Sequence, residues 1–183
     1  MHTDKLNDWS CSAFSRAQIE EASQYGRVDS LQPPYSLFWR QVEKDIRPYC
    51  VDNNISILAY SSLAQGLLTG KFGPDHKFEE GDHRAKNKLF KGENYERVQQ
   101  SLDKLRPFAT RHQCSLAQLS LAWLIAQPQT NAIAGARNAE QASQNAKAAE
   151  VKLSAEELQE IDAIGRLVTD HLDDNPVMWD WAS

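Results

Sequence analysis

The chain has 183 residues, of which 41% are hydrophobic and 25% are charged, as expected for a globular protein with one core. Its formal net charge of −5 argues against a dedicated binder of nucleic acid, because such proteins are basic overall. The three cysteines form no CxxC pair, and no apolar run approaches the length of a membrane span. We therefore expect free thiols, no metal site, and a soluble cytoplasmic protein without a secretory signal.

The N-terminal third of the chain predicts a short helix followed by a strand. Ser15 and Gln18 have the spacing of a capping box, which predicts a helix over about residues 16–24. Residues 27–31 (RVDSL) are a candidate for a short strand that ends at Gln32-Pro33-Pro34, because neither proline can donate to a sheet.

The middle of the chain predicts a helix, a buried strand and a long loop. Residues 38–53 have near-helical apolar spacing, with Pro48 as a kink. Residues 55–60 (ISILAY) are apolar apart from Ser56, which is typical of a parallel strand that is buried on both faces. Residues 71–92 are polar, rich in glycine and charge, and without periodicity, so we interpret them as a surface loop or lid.

The rest of the chain predicts four helices and one more strand. The helices begin near Glu93 and after the capping residues Ser115, Asn138 and Ser154, and the strand covers residues 131–135. Strands that alternate with helices indicate βαβ units on a parallel sheet, and hence an α/β fold.

The segments that follow the strands carry the functional signal, because parallel α/β folds bind ligands at the carboxyl ends of their strands. Arg137 lies at the start of a helix capped by Asn138, where free amides and the helix dipole favour a phosphate monoester. Gln141 and Asn145 follow one turn apart and can hydrogen-bond a base or a ribose. On spacing alone, a capped helix with a solvated arginine is the commoner explanation.

The segment after residue 59 combines an aromatic ring, glycines and a cation. Tyr60 can offer its ring to a planar heterocycle, while Gly66 and Gly70 let the backbone approach a pyrophosphate beside Lys71. Gln32, after the preceding strand, can pair with a carboxamide. A core tyrosine, plain turns and a polar turn residue remain open as alternatives, and no GxGxxG or GxxxxGK motif supports a nucleotide loop of those kinds.

Five blocks of sequence occur in an order that is typical of one enzyme family. They are FSRAQIEEA (14–22), RVDSLQPPYSLFWR (27–40), ILAYSSLAQGLLTGKF (57–72), SLAQLSLAWLIAQP (115–128) and AIAGARNAEQASQNAKA (132–148). Together they resemble the C-terminal half of an aldo-keto reductase of the bacterial type akin to potassium-channel β subunits. The resemblance covers residues 12–168, leaving 1–11 as an atypical N-terminal stretch and 169–183 as a tail. It implies half of a (β/α)8 TIM barrel with parallel strands.

The resemblance implies NADP(H) as the cofactor and assigns thirteen residues to its binding. At the nicotinamide carboxamide and ring it places Ser12, Gln32 and Tyr60. Along the pyrophosphate it places Ser62, Leu63, Gln65, Gly66 and Lys71. Around the adenosine 2′-phosphate and adenine it places Gly135, Arg137, Gln141, Gln144 and Asn145.

The chain also departs from the family pattern. Ser12-Ala13 stands where the family has Ser-Asn, and LNDWSC (6–11) replaces an apolar strand, which we therefore expect to be broken or absent. The family's catalytic Asp, Tyr, Lys and His lie on the first four barrel strands, which this chain does not contain. We therefore assign no catalytic residue.

The expected function is that of an NADP(H)-dependent oxidoreductase of aldehydes and ketones, of which this truncated chain is the cofactor-binding half. A small carbonyl substrate would bind once an N-terminal half completes the barrel. The open barrel edges could also be covered in a homo-oligomer. The alternatives are a non-catalytic module that binds NADPH or a partner, and an inactive remnant; none of them involves nucleic acid or a membrane.

Overall fold

The computed structural model describes residues 9–173, 175 and 177–179, so most of the N-terminal stretch and part of the tail lie outside it. The strands are β1 (Trp9–Ser12), β2 (Val28–Gln32), β3 (Ser56–Ala59) and β4 (Thr130–Ala132). The α-helices are α1 (Arg16–Ala22), α2 (Ile46–Asp52), α3 (Gly92–Arg111), α4 (Leu116–Ile125), α5 (Ala139–Ala146) and α6 (Ala155–Thr169). Short 3-10 helices occupy Gln41–Glu43, Ala64–Thr69, His83–Lys86, Lys88–Phe90 and Lys147–Glu150. Within the described residues, no helix combines the length and apolarity needed to cross a membrane.

The four strands form one parallel sheet in the order β1-β2-β3-β4. Its register is set by pairs such as Ser12 with Gln32, and Ile57 with Thr130. The predicted α/β fold with parallel strands is therefore confirmed. Because all four carboxyl ends lie at the same edge, the segments that follow the strands meet on one side of the molecule.

The expectation that the first strand is broken or absent is wrong for Trp9–Ser12. These residues pair with β2, although the pairing is irregular between Trp9 and Ser10. Cys11 is the buried residue of the strand, whereas its neighbours are exposed. Backbone hydrogen bonding to β2 therefore maintains the strand even though its side chains are mostly polar.

The prediction of a single helix over residues 38–53 is also wrong. The backbones of Ser36 and Trp39 exchange two hydrogen bonds in a tight turn, and the chain then forms the 3-10 helix Gln41–Glu43 before α2 begins. Phe38 and Val42 are buried, whereas Ile46 and Tyr49 on α2 are only partly buried, so these residues do not share one helical face. Pro48 lies in the first turn of α2, where a missing backbone N–H breaks no helical hydrogen bond.

The helices α1, α4 and α6 begin at their local capping signals. Capping boxes form at Ser15, Ser115 and Ser154, each with its side-chain oxygen accepting the backbone N–H three residues later. The larger core cluster packs α3, α4 and α6 together, and a smaller one packs α1 and α2 against the first three strands. The three cysteines are free thiols, as predicted.

A buried ion cluster links the segment after β2 to α6. The Arg40 side chain, only 6% exposed, lies 2.9 Å from Glu43 Oε2 and also pairs with the Asp162 carboxylate. Burial alone would lower the pKa of Arg40, but its hydrogen bonds to Glu43 and the charge of Asp162 raise it. The Tyr35 hydroxyl donates to Glu43 at 2.7 Å, and burial together with that carboxylate raises the pKa of Tyr35.

We expect Glu43→Gln to destabilise the fold by about 3 kcal/mol, because it leaves the buried Arg40 without its main carboxylate partner. Urea unfolding at pH 7 measures this loss, with Glu96→Gln, an exposed glutamate on α3, as the matched control. Equal unfolding free energies for the two variants would show that the cluster does not stabilise the fold.

Glu157 gives the fold a pH dependence with a defined sign. Its hydrogen bond with the Ser154 backbone, followed by that with His112, lowers the pKa of the Glu157 carboxyl from 4.5 to about 2. A depressed pKa stabilises the folded state above the unfolded-state pKa, and this contribution is lost as the pH falls toward the folded-state value.

We therefore expect Glu157→Gln to lower the free energy of unfolding most above pH 4.5, with a difference that shrinks toward pH 2. Urea unfolding across this pH range measures it, with the exposed Glu160→Gln variant on the same helix as control. A difference that does not change with pH would exclude the Glu157 charge as its source.

Candidate functional site

A cleft of about 1440 Å³ opens at the carboxyl edge of the sheet. It is lined by residues 61–71 after β3, residues 81–84, the start of α4, residues 133–145 and Trp179. Residues 71–91, which connect the 61–70 loop to α3, are called the lid below. The cleft exceeds the range of about 300–1,000 Å³ that is usual for drug-sized ligands, so it can hold an extended molecule.

Ten of the thirteen predicted site residues line this cleft. They are Ser62, Leu63, Gln65, Gly66, Lys71, Gly135, Arg137, Gln141, Gln144 and Asn145. The other three, Ser12, Gln32 and Tyr60, lie outside the cleft lining, at the ends of β1 and β2 and directly after β3.

Backbone hydrogen bonds hold these three residues at neighbouring strand ends. Ser12 pairs with Gln32 in the sheet, and the Tyr60 backbone donates to the Pro33 carbonyl at 3.0 Å and accepts from Tyr35 at 3.1 Å. Burial raises the pKa of the Tyr60 hydroxyl, so it is neutral near pH 7. The three side chains therefore extend the row of candidate residues across the same edge of the sheet.

The loop after β3 contains several residues in the left-handed region of φ. Ser61, Ala64 and Gln65 have φ of 52°, 48° and 57°, and Gly66 and Gly70 have φ of 91° and 69°. For residues other than glycine this conformation costs about 1–3 kcal/mol each, and it persists only where surrounding contacts enforce it. Such strain is concentrated at binding sites, which makes this loop a candidate ligand-binding element.

Side-chain hydrogen bonds enforce the shape of this loop. Ser62 Oγ donates to the Ile133 carbonyl at 2.8 Å, which fixes the loop to the segment after β4. Thr69 Oγ1 donates to the Gly66 carbonyl at 2.6 Å, across the last turn of the loop. The two sides of the cleft are therefore joined directly.

Lys71 lies against the glycine that the sequence placed near the pyrophosphate. A Cβ atom built on Gly66 would lie 3.3 Å from the Phe72 ring and 3.8 Å from Lys71 Nζ. The Lys71 ammonium is also 4.8 Å from the centre of the Phe72 ring, a cation–π distance. A side chain at position 66 would therefore crowd the Phe72 ring as well as strain the backbone, because Gly66 has a φ of 91°.

The start of α5 is held by its own side chains. Asn138 Oδ1 accepts the Gln141 backbone N–H at 2.9 Å, Gln141 Oε1 accepts that of Arg137 at 2.9 Å, and Asn145 Nδ2 donates to the Gly135 carbonyl at 3.1 Å. Gln141 and Asn145 thus shape the turn that carries Arg137. Among the described residues, Arg137 itself forms no ion pair, and its exposed side chain lines the cleft.

The lid contributes cleft residues that were not singled out in the sequence. Arg84 Nε lies 2.9 and 3.0 Å from the two carboxylate oxygens of Asp82, and the guanidinium stacks over the rings of Phe72 and Phe78. The side-chain and backbone hydrogen bonds from Arg84 lower the pKa of Asp82 to about 2. The sequence signal for Asp82 and Arg84 is that they are a charged pair near aromatic residues in a long loop.

The cleft therefore combines cations, glycines and amides in a shape suited to an extended anion. Three cationic side chains line it: Lys71, Arg84 and Arg137. Within the described part of the chain, no cluster of His, Cys, Asp and Glu has the arrangement of a metal site.

Known proteins with this sequence pattern are aldo/keto reductases. The model of the Aldo/keto reductase family matches residues 5–166. The chain is 38% identical over 137 residues to the NADH-specific methylglyoxal reductase of Escherichia coli, covering 74% of this chain and 41% of that protein. It is 34% identical over 155 residues to the aldo-keto reductase yakc (NADP+) of Schizosaccharomyces pombe, covering 82% of this chain and 45% of that protein.

A solved structure shows the same similarity in three dimensions. The glycerol dehydrogenase of Gluconobacter oxydans superposes with a TM-score of 0.82 at 32% identity, covering 90% of this chain and 50% of that one. The chain thus spans about half the length of the relatives that it matches. From the family match, the sequence identities and the shared fold, the chain belongs to the aldo/keto reductase family.

Proposed function

We propose that this chain binds NADP(H) and is the cofactor-binding half of an oxidoreductase of aldehydes and ketones. The observation that carries the proposal is the cleft itself, in which ten of the assigned residues meet at the carboxyl edge of the sheet. Its volume of about 1440 Å³ and its cations fit an extended dinucleotide with phosphate groups. The strained loop after β3 supports the same assignment.

The pyrophosphate would lie along residues 61–71. Gly66 has no side chain to keep the ligand from the backbone, and Lys71 Nζ lies beside it. The Ser62 hydroxyl, by contrast, is used to join the loop to Ile133. We therefore assign charge compensation to Lys71 and the positioning of the loop to Ser62.

Arg137 would bind the adenosine 2′-phosphate, which distinguishes NADPH from NADH. Its guanidinium offers the planar fork that suits a phosphate monoester, and the capped start of α5 lies beside it. The names of the two relatives do not agree on the cofactor. The methylglyoxal reductase is named as NADH-specific, whereas the name of the aldo-keto reductase yakc contains NADP+. We favour NADPH because Arg137 has no carboxylate partner among the described residues.

At the other end, Tyr60 would stack on the nicotinamide, with Ser12 and Gln32 near its carboxamide. Bound NADPH would supply a hydride to the carbonyl carbon of the substrate. The carbonyl oxygen then needs a proton from a general acid, for which we assign no residue of this chain. A small carbonyl compound or polyol is the substrate class that the names of a methylglyoxal reductase and a glycerol dehydrogenase support.

The general acid would come from a polypeptide that completes the barrel. β1 and β4 are the outer strands of the four-stranded sheet, so an N-terminal half could pair with both. A second copy of the chain could cover the same two edges as a homo-oligomer.

We expect the purified chain to bind NADPH more tightly than NADH, and Arg137→Ala to weaken NADPH binding by about 10- to 100-fold without changing NADH binding. The reason is the loss of charge-assisted hydrogen bonds to the 2′-phosphate. Titration by nicotinamide fluorescence measures both affinities, and melting temperature gives a second readout.

Arg27→Ala is the matched control, because Arg27 pairs with Asp29 outside the cleft. An equal loss of NADPH and NADH affinity in Arg137→Ala would contradict recognition of the 2′-phosphate. If the unmodified chain binds neither NADPH nor NADH, the proposed function is wrong.

We further expect the chain alone to bind NADPH without oxidising it when methylglyoxal is added, because no general acid is assigned. Absorbance at the reduced-nicotinamide band measures turnover against a protein-free control. Steady oxidation by the purified chain would show that one of its own residues protonates the carbonyl oxygen.

A further inference from the structure

The end of the chain folds back onto the lid. The Lys88 backbone N–H donates to the Met178 carbonyl at 2.8 Å, and Asn87 and Trp179 form an antiparallel bridge. Met178 is only 1% exposed, and Asn87 is fully buried. These contacts fix residues 178 and 179 to the lid.

An ion pair strengthens the same attachment. Lys88 Nζ lies 2.8 Å from both carboxylate oxygens of Asp173, just after α6. Lys88 is therefore held by its backbone at Met178 and by its side chain at Asp173. Two separate points of the C-terminal segment thus fix the same lid residue.

Trp179 forms part of the wall of the cleft. Its ring packs edge-on against Trp39, with ring centres 5.3 Å apart. Trp39 follows β2, whereas Arg137 follows β4, and β3 lies between these two strands. Trp179 therefore packs on the segment that follows β2, whereas Arg137 follows β4, on the other side of β3.

We propose that the described residues of the C-terminal segment (173, 175 and 177–179) form a clasp that holds the lid against the cleft, and that Trp179 contacts the nicotinamide half of a bound dinucleotide. The clasp rests on contacts within the chain alone. The ligand contact rests on the proposed function, because it requires that the cleft bind NADP(H). An indole offers a large apolar surface with a polar N–H, which suits the planar nicotinamide ring.

The clasp is tested without ligand by hydrogen exchange. In Trp179→Ala, we expect the lid amides around Lys88 to exchange about tenfold faster, because the lid opens locally when its attachment is lost. Trp9→Ala is the control, since it removes an indole of β1 that does not line the cleft. Unchanged exchange in the lid would overturn the clasp.

A second variant covers the case in which Trp179→Ala fails to fold. Asp173→Asn removes only the ion pair to Lys88, and the Asp173 side chain is 61% exposed, so we expect the fold to be kept. We expect this variant to speed up hydrogen exchange of the lid amides by less than Trp179→Ala does. Exchange of the α4 amides should not change. Exchange at Lys88 equal to that of the unmodified chain would count against the clasp.

The ligand contact is tested with two probes of different length. We expect Trp179→Ala to weaken NADPH binding by about tenfold, while adenosine 2′,5′-bisphosphate, which reaches only the Arg137 end, binds as before. Equal effects on both probes, or none on either, would overturn the contact. Failure of the unmodified chain to bind both probes would instead overturn the proposed function, and hydrogen exchange would still decide the clasp.

Discussion

The buried guanidinium of Arg40 is the interaction that joins the segment after β2 to the helices α4 and α6. It joins Glu43 in the segment after β2 to Asp162 of α6, and it lies 5.0 Å from the ring of Trp123 in α4. A buried charge is tolerated only when its partners are in place, so these three elements must assemble together. Trp39 precedes Arg40 directly, and its ring packs edge-on against that of Trp179.

Short-range sequence signals correctly predicted the features of the fold that depend on neighbouring residues, such as helix starts. The capping boxes at Ser15, Ser115 and Ser154 marked three helix starts correctly, because the cap and its partner are three residues apart. The helix over residues 38–53 failed because Arg40 pairs with Asp162, which is 122 positions away. The β1 strand was underestimated because its stability comes from backbone pairing, which a polar side-chain pattern does not reveal.

The same division applies to the candidate site. Residues near the strand ends could be predicted to meet, because the carboxyl ends of parallel strands share one edge, and the family resemblance supplied their roles. Asp82, Arg84 and Trp179 were missed because ring stacking and the folded-back terminus bring them to the cleft. Gln141 lines the cleft as predicted from the family resemblance, and its Oε1 also accepts the backbone N–H of Arg137, which helps to orient that residue.

The strained loop after β3 connects folding to binding. Ser61, Ala64 and Gln65 adopt left-handed φ without a ligand, and the bond between Ser62 and Ile133 keeps the loop in place. The cost of shaping the loop is therefore met when the chain folds and not when a ligand arrives, which favours affinity. Because the residues that shape the loop all belong to this chain, the loop takes this form within the half-length chain. A member of the family that spans half the length of its relatives can thus carry a formed cleft at the carboxyl edge of its sheet.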